Sequence, residues 1–300
     1  MDKKPYIALF ISVVSVSFAA IFIVSVSKNV SPLSISFYRL FFTFLLILPI
    51  ILLRKKYREE LRGLSRSNFL IMSGIGTILA LHFALWITSL DLTSVASSVI
   101  LVTAHPVLVA PVAHYFLKEN LSLTNIVGIC LSLFGVAILV LGNYDLGPLT
   151  IDSLQGNILA ILGGIAAGLY ILGGRKMRKT ISVASYAFVV YAIGAIVLFV
   201  ICLSFNASMI NLSLKDYGII FLMAIISGIF GHTFYNWSLG YMRASIASVV
   251  LLGEPIGSAL LAYAIPWIQQ VPSNYTIIGG IIIFAGIYLT ARKTEESLHA

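Results

Sequence analysis

Runs of about twenty apolar residues recur ten times along this chain, and few folds can absorb them. A helix rises 1.5 Å per residue, so about 20 such residues cross the ~30 Å hydrocarbon core of a bilayer. The runs fall at 6–27, 34–53, 69–89, 94–117, 123–142, 156–174, 183–205, 217–239, 245–266 and 274–291. They use about two thirds of the 300 residues, so no loop is long enough to hold a soluble domain. Composition points the same way: 59% of residues are apolar and 10% charged, where about 25% charged is usual in soluble domains. The predicted fold class is an all-α polytopic membrane protein of ten transmembrane helices, with the lipid bilayer as its first partner. Lys3 and Lys4 resemble the start of a secretion signal, but the apolar stretch continues past Ser17-Phe18-Ala19 to Val26. That exceeds the ~7–15 residues of a signal core and predicts an uncleaved first helix.

The formal net charge of +8 sits in short clusters between the runs. With the N-terminus inside, cytoplasmic segments carry Lys3, Lys4, Arg54, Lys55, Lys56, Arg58, Arg62, Arg66, Lys118, Arg175, Lys176, Arg178, Lys179, Arg243, Arg292 and Lys293. Outer segments carry only Lys28 and Lys215, and Arg39 lies within a span. The asymmetry predicts both termini on the cytoplasmic side of the cell (plasma or inner) membrane. Scattered clusters of this kind do not form the basic face that a nucleic-acid partner needs. Cys130 and Cys202 fall in apolar runs and read as small hydrophobes. No zinc spacing or CxxC pair occurs, and no cofactor is expected.

The chain contains itself twice. Ala96–Pro106 reads ASSVILVTAHP and Ser245–Pro255 reads SIASVVLLGEP, offset by 149, each in the fourth run of its half. Gly128 and Gly135 correspond to Gly279 and Gly286 at an offset of 151, and His82 to His232 at 150. Two five-helix units follow, 1–145 and 156–300, joined through Gly142–Gly156. Because five is odd, the second unit starts on the opposite side of the membrane. This inverted repeat is an architecture of secondary transporters, whose sites lie at the repeat interface near the midplane.

Ionisable groups inside a membrane are costly, about 2.5–3.5 kcal/mol for a charge at the helix centre on insertion scales, so each invites a functional reading. Glu254 lies near the middle of the ninth run. Pro255 cannot donate to the carbonyl of Leu251, which leaves a free acceptor beside the acid. A cation, an amine or a coupling proton fits there; the alternative is a permanently neutral acid bonded to a neighbouring helix. His105 and Pro106 are the counterparts in the fourth run, where the carbonyl of Val102 is freed. His82 and Trp86 share a face of the third run at i and i+4, and suit an aromatic or cationic ligand. Trp86 serves equally as an interfacial anchor. His232 with Tyr235 and Asn236 mirrors His82 in the eighth run. Tyr170, Ser12, Ser15 and Ser17 are weaker candidates, and Trp237 reads as an anchor. Arg39 is expected to snorkel or to pair with Asp91, in a structural or gating role. His114 and Glu119 are expected to be solvated or interfacial. Gly128, Gly135 and Gly142, Gly279 and Gly286, and the pairs Gly164/Gly168 and Gly253/Gly257 mark faces for close helix packing.

Gly173–Thr180 superficially matches a phosphate loop, but Arg178 stands where the second glycine is required. No HExxH or GxSxG occurs, so neither ATP drive nor hydrolysis is indicated.

Ten spans in two halves, Tyr38-Arg39 in the second run, LHFALW at 81–86, and Glu254-Pro255 ahead of a glycine-rich helix resemble the EamA-type drug/metabolite transporters along essentially the whole chain. The resemblance implies a carrier, often an exporter, of amino acids or related small metabolites. It also implies a central cavity lined mainly by helices 1, 3, 4, 6, 8 and 9, with helices 5 and 10 structural. His105 departs from the second half's Glu254. The reading is thus a secondary transporter of a small-molecule substrate working by alternating access. The alternatives are a passive channel or facilitator and an integral membrane enzyme using His and Glu.

Overall fold

The computed structural model describes residues 3–93, 95–143, 151–210, 212–265 and 271–296. Ten helices in it are long and apolar enough to cross a membrane. They are α1 (Lys4–Ile23), α2 (Pro32–Leu53), α3 (Arg66–Leu92), α4 (Ser98–Leu117), α5 (Leu123–Leu141), α6 (Ile151–Met177), α7 (Val183–Ser204), α8 (Leu214–Leu239), α9 (Ala244–Leu261) and α10 (Asn274–Ala291). Each predicted run becomes one of them. The described residues hold no strand. Residues 144–150 of the joint between the two halves lie outside the described residues.

Serines set several helix starts. Ser31, Ser65 and Ser182 accept hydrogen bonds from the backbone N–H of Leu33, Asn68 and Ser185, and Ser213 forms a reciprocal capping box with Asp216. A short charged helix, Lys55–Arg62, has no buried residue and links α2 to α3.

The inverted repeat is visible in the pairing of helices. α5 packs along α10, its counterpart, through the glycine stripes. A Cβ on Gly135 would stand 2.8 Å from the Gly279 carbonyl, and one on Gly279 2.6 Å from the Gly135 carbonyl, so both positions need glycine for the backbones to touch. Asn125 Nδ2 donates to the Thr290 carbonyl at 2.7 Å, closing one end of this seam. α2 and α7 make a second symmetric pair. Ser34 of α2 donates to the Ser208 carbonyl in the loop after α7 at 2.8 Å. Ser185 of α7, 151 positions on, donates to Glu60 in the loop after α2 at 2.6 Å. Burial pushes the Glu60 carboxyl up, but hydrogen bonds from Ser182 and Ser185 outweigh it and hold the group below its ordinary range.

The remaining counterparts differ. α3 packs along α6, and their mates α8 and α1 pack together as well. α3 and α6 are continuous helices of 27 residues. α1 instead breaks at Phe18, and α8 contains a ten-residue π-helical stretch, Ala224–Thr233. α4 and α9 are both interrupted at their prolines. The α4 span is made of two helices, Val95–Thr103, which begins just ahead of it, and Pro106–Leu117. α9 runs Ala244–Val250, a 3₁₀ turn Leu251–Gly253, then Glu254–Ala264. The glycine pairs seat these elements: Gly164 meets the Val102 carbonyl of α4, and Gly257 leaves room for Ser17 of α1.

Candidate functional site

The two broken helices face a cavity of about 460 Å³ at the junction of the repeats. His82, Trp86, His105, Tyr170, His232, Tyr235, Glu254 and Pro255 all line it. Pro106 is buried next to His105 but is not part of the lining. The helices expected to contribute do so, and three more add residues: Arg39 from α2, Leu139 and Val140 from α5, and Thr276 from α10. Ser12 of α1 lines the cavity too, whereas Ser15 and Ser17 join helices: Ser227 donates to the Ser15 carbonyl, and Ser17 to the Glu254 carbonyl at 3.2 Å.

Arg39 corrects the sequence reading. Asp91 is exposed at the end of α3 and forms no ion pair with it among the described residues. Arg39 is 2% exposed, and its guanidinium carbon lies 4.2 Å from the centroid of the Phe83 ring. The reason is geometric: seven residues into α2, the side chain is too deep to reach solvent along the helix, and Phe83 offers it a π face. The arginine therefore belongs to the cavity rather than to a rim.

Other contacts hold the walls. His82 Nδ1 lies 2.9 Å from the Gly163 carbonyl, joining α3 to α6, and its ring stacks on Trp86 with centroids 5.9 Å apart. His232 meets Phe83 edge-on at 5.3 Å and Tyr170 at 6.2 Å. Asn236 donates to both the Tyr170 hydroxyl and the His232 carbonyl.

What the walls leave unbonded is more telling. Among the described residues, eight buried side-chain polar atoms have no hydrogen-bond partner, and five belong to the cavity: Ser12 Oγ, Arg39 Nη1, Trp86 Nε1, His105 Nδ1 and Tyr235 Oη. Buried polar groups are ordinarily paired, so this concentration makes the cavity the candidate site. One carboxylate, Glu254, lines the same cavity; it is half-buried and accepts no hydrogen bond from a described side chain.

Among the described residues, the lining of the cavity reaches one end of the molecule only. Its lining extends through Ser258 and Ala259 to Val271–Thr276, the connection between α9 and α10. No described residue of the connections on the terminus-bearing end lines it. That end is closed around Glu119, a second correction. Instead of being solvated, Glu119 is 7% exposed. It accepts from the N–H groups of Ala244 and Ser245 at 2.8 and 3.2 Å, capping α9, and from the Ser245 hydroxyl at 2.9 Å. Arg175 Nε lies 3.4 Å from the same carboxylate, and Arg175 Nη1 donates to the Leu239 carbonyl. Arg178 donates to the Asn236 and Ile181 carbonyls and Arg243 to that of Asn120. The Glu119 contacts span about 125 residues of sequence, so no local pattern announces them. His114 is exposed as expected, its Nδ1 2.8 Å from the Glu119 carbonyl. Trp237 lies outside the lining and packs on Tyr241.

The profile of the EamA-like transporter family matches this chain twice, at residues 3–141 and 154–292. An uncharacterized transporter of Archaeoglobus fulgidus is 24% identical over 298 residues, covering 99% of this chain and 100% of its own. The uncharacterized transporter YyaM of Bacillus subtilis is 25% identical over 210 residues, 69% of this chain and 68% of its own. One crystal structure shares the fold with a TM-score of 0.78 at 17% identity, over 100% of both chains.

Proposed function

This chain belongs to the EamA-like transporter family, and from that premise we propose a secondary transporter, not driven by ATP, that exports amino acids or related small metabolites by alternating access. The observation that carries the reading is the cavity between the inverted repeats, continuous to one end, closed at the other, and lined by unbonded donors and one free carboxylate. The positive-inside count supports placing both termini and the closed end in the cytoplasm of a cell whose plasma or inner membrane the protein spans. The decisive experiment is counterflow in proteoliposomes. A carrier exchanges labelled for unlabelled substrate saturably, whereas a passive channel or a membrane enzyme does not; failure of counterflow across an amino-acid and metabolite panel rejects the proposal.

Protons are the proposed coupling ion, with Glu254 as the exchanging acid. Glu254→Gln keeps shape and hydrogen bonding but removes titration. It should abolish accumulation driven by a pH gradient and leave counterflow, which needs no net proton movement, within about twofold of wild type. Full gradient-driven accumulation by this variant rejects the coupling role. Loss of counterflow as well assigns the carboxylate to substrate binding.

A further inference from the structure

Arg39 presents an unsolved electrostatic problem. A guanidinium carries five N–H donors in a planar fork and stays charged. Here it is buried at the wall of the cavity against the π face of Phe83, and the Glu254 carboxylate acts on it only from beyond ion-pair distance. Nη1 has no hydrogen-bond acceptor, and the guanidinium donates to no described residue. Glu254 lines the same cavity, yet no ion pair joins the two. A buried charge left without hydrogen-bond acceptors is strongly destabilising, and a sequence with no use for the charge has cheaper residues to place there. The requirement is met when an anion enters.

We propose that Arg39 is the specificity-determining residue of the cavity: it takes the carboxylate of the substrate in the planar fork of its guanidinium, so that only ligands bearing such a group bind well. The inference rests on the transporter reading above and narrows it to the charge the ligand must carry. Geometry supports it beyond the missing acceptors. Phe83 braces the guanidinium from one side, and His232 braces Phe83 edge-on at 5.3 Å, so the fork is held in one orientation before the ligand arrives. Trp86 and Tyr235 each offer one further unpaired buried polar atom in the same space. Arginine matches a carboxylate with two parallel hydrogen bonds, which a lysine ammonium cannot reproduce.

The test uses purified full-length protein in detergent and follows its melting temperature against two matched sets. One set is L-leucine, isoamylamine (the same skeleton without the carboxylate) and 4-methylpentanoate (the same skeleton without the amine). The other is L-phenylalanine, phenethylamine and 3-phenylpropanoate. Wild type should be stabilised by at least one amino acid or carboxylate and by neither amine. Arg39→Gln should weaken the responding ligand about 10- to 100-fold, the range expected for losing hydrogen bonds to a charged group, and Arg39→Lys should recover only part of it. The unliganded protein supplies the independent readout. Removing an unpaired buried charge should leave the apo melting temperature unchanged or raised, whereas a structural arginine would give a lowered one. Stabilisation by the amines, undiminished affinity in Arg39→Gln, or a destabilised apo variant with intact affinity overturns the assignment while leaving the transporter reading intact. No response to any member of either set, together with no counterflow of amino acids, overturns the amino-acid class and the assignment with it. If Arg39→Gln does not fold, the wild-type comparison of acids with amines still decides the charge requirement.

Discussion

The two ends of the cavity are built on different principles. At the terminus-bearing end the helices are joined by charge: Glu119 caps α9 and pairs with Arg175, and Arg178 and Arg243 bond backbone carbonyls of neighbouring turns. Toward the other end the cavity's lining is uncharged, with Ser258, Ser273 and Thr276. Hydrophobic attraction cannot hold membrane helices together as it does in water, since lipid is as apolar as leucine. Closure therefore falls to a few polar contacts, and these can be exchanged for others without rebuilding a core. The difference teaches that the closed end is held by specific bonds rather than by bulk packing alone.

The strongest challenge to this comparison is the side assignment. In a cysteine-free background, single cysteines at Ser65 and Lys179 should be protected from an impermeant thiol reagent in intact cells, while one at Lys28 should label fully. The reverse pattern would put the charged end outside and undo the proposed direction. Next in size comes the closure itself. Glu119→Ala removes the cap of α9 and strands Arg175, and breaking a buried pair of this kind costs about 3–5 kcal/mol. Thermal unfolding in detergent should drop by several degrees; an unchanged melting temperature would show that packing alone closes that end. A smaller effect is expected at the open side. A Cβ at Gly257 would run into Ser17, so Gly257→Ala must push α1 from α9 and should cost about 1–3 kcal/mol. Gly218→Ala meets nothing within 4 Å and serves as the neutral or mildly stabilising control.

The smallest effect is expected at Glu60, whose carboxyl is held below its ordinary range in the folded protein. A lowered folded-state value means stabilisation that is present above the unfolded carboxyl's ~4.3 and lost as pH falls through the folded value. Wild type and Glu60→Gln should therefore differ slightly in melting temperature near pH 7 and converge in acid. A difference that grows on acidification contradicts the assignment.

Much of this architecture is legible in the residues. Apolar runs give the ten spans, the two X-Pro sites give the breaks in α4 and α9, and the glycine spacing gives the α5–α10 seam. The destination of Arg39 is not legible. In a helix apolar on every side, the face toward lipid and the face toward protein look alike, so nothing in SFYRLFF says which way the arginine turns. Glu119 is hidden for a different reason: its partners belong to the other repeat. The π stretch of α8 and the break of α1 at Phe18 carry no proline, and their regular counterparts α6 and α3 come from equivalent positions, so conformation there is set by packing rather than by local sequence.

The π stretch has a mechanical meaning. Its hydrogen bonds run from i to i+5, so each turn holds more residues than an α turn and the helix is wider and shorter for the same chain. Ala224–Thr233 lies between two α-helical segments, Leu214–Met223 and Phe234–Leu239. Rewinding it to α geometry is a screw motion: everything beyond Thr233 turns about the α8 axis and advances along it. His232, at the end of the stretch, and Tyr235, just past it, both line the cavity, so the winding of this one helix sets where that part of the wall stands.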